Sequence, residues 1–204
     1  MTMRTFTRLY DDQDDAAHVA QALETVGVPR ESISVVARQV EKTPDDSPAS
    51  SDARDGAETG AGTGATLGTV LGGGAGLLAG LGALAIPGVG PIVAAGWLVA
   101  TLTGAGAGAA AGGLLGSLTG AGVEEADAQV YAEGVRRGGH LVTVQADETQ
   151  STAIEAVLDG RTPVDPKVRR SEYQAENWQG FDEAAPAYTS EQLTTERRRR
   201  VRVS

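Results

Sequence analysis

The middle of the chain contains the run GAGTGATLGTVLGGGAGLLAGLGALAI at residues 60–86, where glycine recurs at every fourth position up to Gly80. The pattern repeats, with one alanine, in a second run at residues 96–120, GWLVATLTGAGAGAAAGGLLGSLTG. Positions four apart share a face of an α-helix, so each run predicts a helix whose smooth groove lets another backbone approach closely. The packing glycines are Gly64, Gly68, Gly72, Gly76, Gly80, Gly96, Gly104, Gly108, Gly112 and Gly116.

A short turn at residues 87–91 separates the two runs. The turn residues are Pro87, Gly88, Gly90 and Pro91. Because two prolines prevent one unbroken helix, the sequence predicts a long Gly/Ala-rich antiparallel helical hairpin over residues 60–120. At 1.5 Å per residue each arm would extend about 40 Å, more than the roughly 30 Å hydrocarbon core of a bilayer.

The predicted hairpin coincides with a segment that has no charged side chain. No ionisable side chain occurs from Thr59 to Val123, a run of 65 residues. The first arm, residues 60–86, also contains ten glycines, and each costs about 1 kcal/mol relative to alanine in a helix exposed to water. A helix that is uncharged all round must be buried in lipid or in protein. We therefore expect the hairpin to insert into or lie against a membrane; the alternative is a soluble assembly in which protein covers it.

The arms are only moderately apolar. Eight of the 21 residues from Thr66 to Ile86 are Leu, Ile or Val, so we expect insertion as a preformed hairpin rather than arm by arm. Trp97 would suit the membrane interface. A basic cluster near the end of the chain would attract anionic head groups, at about 1 kcal/mol per residue, or remain a solvated terminal run. The cluster consists of Arg197, Arg198, Arg199 and Arg200.

The segments on either side of the hairpin predict one small α/β domain. Before it, a β-prone run is followed by Val19, Leu23 and Val26 at helical spacing and then by alternating apolar residues from Ile33. After it, the pattern predicts a helix, a strand and a second helix. Joined in one sheet with helices on one face, the halves give an α+β, broadly ferredoxin-like sandwich, β-α-β … α-β-α, interrupted by the hairpin.

The predicted organisation has five parts. They are the first half of the α/β domain (1–40), a polar linker (41–59), the glycine-zipper hairpin (60–120), the second half of the α/β domain (121–165) and an irregular C-terminal segment with an Arg-rich tail (166–204). In the last part, Tyr173, Trp178 and Phe181 are expected to dock on the domain. Residues 190–204 are expected to form a mobile tail.

Composition argues against several classes of function. The chain has no cysteine, two histidines and a net charge of −10, which disfavours disulfides, thiolate metal sites and nucleic acid as a partner. The glycine runs match relaxed nucleotide-binding patterns but follow no predicted strand and have no Walker lysine. The aspartates from Asp11 to Asp15 suit a helix N-terminus. We expect no enzyme activity, no cofactor and no metal.

The chain resembles a bacterial family of heat-induced or general stress proteins over residues 4–165. The resemblance rests on LYDDQDDAAHVAQALETVGVPRESISVVARQ (9–39), GLGALAIPGVGPIVAAGWL (80–98) and VEEADAQVYAEGVRRGGHLVTVQAD (123–147). It implies a link to stress and supplies no catalytic residues.

The leading hypothesis is a stress-associated homo-oligomer held at the bacterial inner membrane by the hairpin, with its N- and C-terminal parts in the cytoplasm. The N-terminus lacks the apolar core of a signal peptide, which agrees with that orientation. One alternative is a cytoplasmic, soluble, oligomeric small-ligand-binding or regulatory protein. Another is an oligomeric membrane channel, although scattered Thr and Ser are the only polar residues available to line a path.

Overall fold

The protein is a mixed α/β structure, as the sequence predicts, in a computed structural model that describes residues 3–38, 82–86, 89–98 and 109–201. Its elements are β1 (Met3–Tyr10), α1 (Gln13–Thr25), β2 (Ile33–Arg38), β3 (Gly82–Ile86), β4 (Gly90–Ala95), α2 (Ala109–Gly120), α3 (Glu125–Arg136), β5 (His140–Asp147), α4 (Ser151–Asp159), α5 (Pro166–Ala175) and α6 (Ser190–Val201). The strands and helices expected in the two flanking segments are confirmed. The predicted linker, 41–59, lies outside the described residues.

The strands form one five-stranded sheet in the order β1-β5-β2-β4-β3. Every neighbouring pair is antiparallel, so β1 and β2 run parallel to each other on either side of β5. With α1 as the connection, they form a split β-α-β unit. Phe6 pairs with Val144, and Val36 pairs with Leu141.

Helices cover both faces of this sheet, so the expectation of helices on one face is wrong. Tyr10 lies in the buried cluster with α1 and α4, and its neighbour Leu9 lies in the cluster with α2 and α3. Both side chains are fully buried. Successive side chains of a strand point to opposite faces, so a strand that buries neighbouring residues must be covered on both sides.

Residues 82–86 and 90–95 are strands, which contradicts the helical hairpin predicted across them. Backbone pairing extends the sheet, with Ala37 opposite Val93 and Leu84 opposite Ile92. Ile92 and Ala94 alternate along β4 and are both buried. A helix here would carry the cost of its glycines, whereas pairing with β2 satisfies the backbone and suits β-branched residues.

α2 agrees with a helix at the end of the second arm, but it packs differently from the prediction. Leu114 and Leu118, four residues apart, are fully buried in the cluster that lies between the sheet and α3. Gly113, at φ 42° and ψ −138°, interrupts the helix. Leucine side chains, rather than a groove of glycines, therefore hold the described part of α2 in place.

The C-terminal segment is not irregular, because it contains two helices. Asp165 caps α5 by accepting from the amides of Lys167 at 2.8 Å and Val168 at 3.2 Å. Pro166 occupies the first turn, where its missing N–H is not needed. Tyr173 is buried, as predicted, and so is Leu193 of α6. The tail predicted to be mobile is therefore helical through residue 201 and docked at Leu193.

Candidate functional site

Most of the predicted glycine surface lies outside the described residues. This applies to Gly64, Gly68, Gly72, Gly76, Gly80, Gly104 and Gly108, and to Pro87 and Gly88 of the predicted turn. Gly90 and Pro91, expected in the turn, lie in β4, and Gly112 lies in α2. Packing between two glycine arms stays a prediction.

Two of the predicted packing glycines lie in surroundings unlike a helix interface. Gly96 follows β4 with φ of +92°, and a Cβ added there would lie 1.9 Å from the carbonyl oxygen of Ile33. Glycine is required because the left-handed backbone and the close approach of β2 both exclude a side chain. Gly116 lies in α2, where an added Cβ would meet no atom within 4 Å. Gly96 is thus a turn residue, and Gly116 makes no close contact with the helices that the structure describes.

Trp97, predicted to contact lipid, follows β4 and packs in part against the cluster beneath α2 and α3. Its neighbour Leu98 is fully buried, and the amide of Leu98 donates to Oγ of Ser34 at 2.9 Å. Within the described ranges, no helix combines the length and apolar character needed to cross a bilayer. Lipid contact at Trp97 stays a prediction, made for a residue of the folded domain rather than of a helical arm.

The arginine-rich tail lies in α6, and two of its four side chains contact the domain. Nη1 of Arg200 lies 3.1 Å from Oδ1 of Asp11, and its Nη2 donates to the carbonyl oxygen of Arg137 at 2.8 Å. Arg199 forms an ion pair with Glu176. Arg197, Arg198 and Arg199 are exposed, and Arg200 is half-buried. Two of the four arginines predicted to contact lipid therefore form ion pairs within the protein.

Arg200 contacts the backbone of Arg137, which belongs to a group of buried and half-buried charges at the C-terminal end of α3. This arginine cluster comprises Arg38, Glu133, Arg136 and Arg137. The Glu133 side chain is 0% exposed, and those of Arg136 and Arg137 are 9% and 6% exposed. Oε1 of Glu133 accepts from Nε of Arg137 at 2.6 Å, and Oε2 lies 2.7 Å from Nη2 of Arg136. One carboxylate thus serves two buried guanidinium groups.

Aromatic rings from the C-terminal segment cover the cluster. The guanidinium of Arg137 lies 4.2 Å from the ring centroid of Tyr173. Arg136 lies 5.7 Å from the centroid of Phe181 and 5.4 Å from that of Tyr188. Such contacts contribute about 2 kcal/mol when desolvated. The segment therefore docks through cation–π contacts as well as through ion pairs.

Further carboxylates from this segment hold Arg137. Its Nη1 lies 2.7 Å from Glu176 and 3.8 Å from Glu196. Burial lowers the pKa of Arg137, but hydrogen bonds to Glu176 and Glu133 outweigh it, so the pKa lies above its usual value. Arg137 therefore remains charged at any physiological pH.

Arg38, at the end of β2, is bound differently. Its Nη1 donates to the carbonyl oxygen of Arg136 at 3.2 Å, and its Nη2 donates to that of Tyr188. Burial, and then the positive charge of Arg136, lower the pKa of Arg38. Among the described residues no carboxylate contacts Arg38. This guanidinium caps the negative end of the α3 dipole but lacks a full counter-charge.

A second charged group lies beside the cluster. Asp11 accepts from Arg169 at 3.0 Å and 2.5 Å. Burial raises the pKa of Asp11, but Arg169 and Arg200 lower this pKa by more than burial raises it. The pKa of Asp11 therefore lies below its usual value. Burial lowers the pKa of His140 to about 4. The negative charge of Asp12 opposes this shift, whereas the positive charges of Arg200 and Arg197 add to it. His140 opens β5, as the sequence predicts, and is neutral at pH 7.

The sequence analysis did not identify the arginine cluster. Arg136 and Arg137 lie at the C-terminal end of α3, where positive charge suits the helix dipole whether or not it is buried. Their spacing of three and four residues from Glu133 was a signal for ion pairs. Burial of those pairs depends on residues far along the chain, such as Glu176, 39 positions from Arg137.

The cluster can hold or orient oxyanions, but it offers no proton to transfer near neutral pH, because a guanidinium does not lose its proton in proteins. Within the described residues, no three His, Asp or Glu side chains are placed to hold a metal ion. Comparison of the chain with protein-family models, curated proteins and solved structures found no match.

Proposed function

We propose that the protein is a non-enzymatic, stress-associated protein that binds membranes through the uncharged middle of its chain while the α/β domain stays in water. The proposal rests on the run of 65 residues without an ionisable side chain, from Thr59 to Val123. Exposure of such a run to water is unfavourable, because uncharged glycine-rich helices are unstable when exposed.

The fold narrows the part of the run available for lipid. Residues 82–98 contribute β3, β4 and a buried Leu98, and Leu114 and Leu118 lie in the core. Residues 60–81 are the longest part of the uncharged run that lies outside the described residues. At 1.5 Å per residue, 22 residues would extend about 33 Å as a helix, close to a bilayer core of about 30 Å. We assign lipid contact to 60–81 in place of the full hairpin.

Two finer parts of the proposal concern architecture. The split β-α-β unit of β1, α1 and β2 around β5 has the strand order of half a ferredoxin-like sheet, which supports a distant relation to that fold. Pairing of glycine-rich helices between copies of the chain would give a homo-oligomer. Both features are compatible with a protein that is held at a membrane and needs no catalytic residue.

Vesicle flotation of the purified full-length protein tests membrane binding. Leu77→Asp places a charge inside 60–81, and an aspartate at the centre of a bilayer costs about 3 kcal/mol, roughly a 100-fold change in partition. Val168→Asp is the matched control, because Val168 is 57% exposed in the first turn of α5. We expect wild type and Val168→Asp to float with vesicles containing anionic lipid and Leu77→Asp to stay at the bottom.

Equal flotation of both variants, or none with the wild type, would reject the proposal. A carbonate wash of cell membranes separates insertion from surface adsorption, because adsorbed protein is released by alkali. Retention after the wash supports a spanning segment, whereas release supports a surface role.

A shallow groove favours the soluble small-ligand alternative. It has a volume of about 580 Å³ and lies between α2 and the C-terminal segment, with Leu115, Val123 and Phe181 as apolar lining and Glu125 and Glu183 as carboxylates. This volume falls in the range typical of small-molecule sites, about 300–1,000 Å³. An open groove with a partly apolar lining and two carboxylates suits a cationic amphiphile.

Fluorescence titration with a cationic apolar dye tests that alternative. Gly116 lines the groove, and Gly116→Leu would fill it. Gly120→Leu is the control, because an added Cβ at Gly120 also meets no atom within 4 Å and this residue does not line the groove. Loss of dye binding in Gly116→Leu alone would favour a soluble binding protein.

A further inference from the structure

We propose that Arg38 and Arg136 form a binding site for a small oxyanion, a carboxylate or a phosphate group, where β2 meets the C-terminal end of α3. The site is independent of the membrane proposal, because it lies within the folded domain. Its basis is the hydrogen-bonding and charge balance of the arginine cluster.

The first argument is that both guanidinium groups keep an unused donor. Nε of Arg38 and Nε of Arg136 are buried, and neither has a hydrogen-bond partner in the described part of the protein. The Arg136 side chain is only 9% exposed, so water does not readily solvate it. A buried donor left unmade costs about 1–3 kcal/mol, more when charged. An oxyanion accepting from these two atoms would remove that cost.

The second argument concerns charge. Within the described residues, Arg38 donates to two backbone carbonyl oxygens, those of Arg136 and Tyr188. Burial, and then the positive charge of Arg136, lower the pKa of Arg38. Two like charges in a region of low dielectric repel each other strongly. A negative ligand between them would offset the repulsion.

Glu133 cannot supply the missing negative charge. Its Oε1 accepts from Arg137 at 2.6 Å, and its Oε2 lies 2.7 Å from Arg136. The side chain is fully buried, so rotation toward Arg38 would take the counter-charge away from Arg136. The cluster therefore contains three guanidinium groups and one carboxylate, and in the part of the chain that the structure describes Arg38 forms no ion pair.

The surroundings define the class of ligand. The rings of Phe181 and Tyr188 are covered by Arg136, so they are not free to stack on an aromatic ligand. Arginine side chains bind carboxylate and phosphate oxygens with planar, charge-assisted hydrogen bonds. Arg38 is half-buried, which leaves one side open to solvent. The site thus suits the oxyanion group of a small solute.

Proton–nitrogen NMR of the purified full-length protein tests the site directly, with inorganic phosphate and acetate as probes and chloride at equal ionic strength as the reference. We expect the Nε–H signals of Arg38 and Arg136 to shift with the probes. The signal of Arg137 should stay in place, because its Nε is already bound to Glu133. Phosphate and acetate arms identify which oxyanion binds more tightly.

Calorimetric titration of variants gives the second readout. Arg38→Gln should weaken binding about 10- to 100-fold, as expected for one charged hydrogen bond. Arg4→Gln removes a cation whose side chain is 53% exposed, far from the cluster in an ion pair with Glu155, and should change affinity less than about twofold. Arg38→Lys keeps the charge that caps α3 and should lose most of the binding while the protein remains folded.

Equal shifts at all three Nε–H signals, no shift with either probe, or unchanged affinity in Arg38→Gln would overturn the proposal. A protein that fails to float with vesicles but binds phosphate, or one that floats but does not bind phosphate, would show that the two proposals stand or fail independently.

Discussion

Oε1 of Glu133 lies 2.6 Å from Nε of Arg137, one turn further along α3, and neither side chain is more than 6% exposed. The same carboxylate contacts Arg136 at 2.7 Å. A buried ion pair adds little net stability relative to apolar residues, but removal of one partner is costly because a charge is left buried without compensation. Glu133 is therefore the residue on which the arginine cluster depends most.

Glu133→Gln should lower the free energy of unfolding by about 3–5 kcal/mol, because the buried Arg136 loses its counter-charge and Arg137 keeps only its pairs with Glu176 and Glu196. Urea unfolding followed by circular dichroism measures the change. Glu155→Gln is the control, since Glu155 is 44% exposed and lies 4.0 Å from Arg4; exposed pairs contribute about 0–1 kcal/mol. Similar losses in the two variants would mean that the cluster is solvated.

Gly96→Ala tests the strand and turn that replace the predicted helix. A non-glycine residue at φ +92° costs about 1–2 kcal/mol, and the added Cβ would lie 1.9 Å from the carbonyl oxygen of Ile33. We expect a loss of at least about 2 kcal/mol in urea unfolding.

Gly27→Ala separates backbone strain from the steric clash. Gly27 has the same φ of +92°, but an added Cβ meets no atom within 4 Å, so this variant should lose only about 1 kcal/mol. If residue 96 were helical, alanine there would instead raise stability by up to about 1 kcal/mol. A gain at residue 96 would therefore restore the helical prediction.

The flanking elements could be predicted because their local pattern agrees with the fold. Val19 and Leu23 have helical spacing and are buried in α1. The first glycine series ends at Gly80 and the second begins at Gly96, so residues 82–95 are assigned to the hairpin by their neighbours, whereas β-branched residues such as Ile92 fit a strand. The choice depends on β2 needing a neighbour, which is a long-range effect that no window of sequence contains.

The same reason explains why the site was missed. Glu133 and Arg137 are visible as an ion pair from their spacing, but their burial requires Tyr173 and the rest of the C-terminal segment to dock. That segment is rich in charge, and a charged segment predicts a solvated tail until its partners are known. Here the partners are the buried charges of α3 themselves.

Protonation of His140 should lower the free energy of unfolding as the pH decreases. Its folded pKa of about 4 lies below the unfolded value of about 6.5. A proton therefore binds the unfolded chain first, so the contribution is complete above pH 6.5 and is lost as the pH falls toward 4. Partial exposure screens the effect, and we expect about 2 kcal/mol in urea unfolding across this range.

His140→Asn should flatten the slope between pH 6.5 and 4, because the titrating group is gone. His18→Asn is the control, since His18 is exposed on α1, and should leave the slope unchanged. An unaltered slope in His140→Asn would assign the loss of stability to other groups.

Arg200→Gln should release α6 from the domain without unfolding the rest. Arg200 donates to the carbonyl oxygen of Arg137 at 2.8 Å and pairs with Asp11 at 3.1 Å, so its removal costs about 1–2 kcal/mol of local stability. Hydrogen exchange should then quicken about 10-fold or more for amides of residues 190–201 and stay unchanged in β5. Arg198→Gln, at an exposed neighbouring position, should alter neither. Fast exchange across α6 already in the wild type would instead show the undocked tail that the sequence predicts.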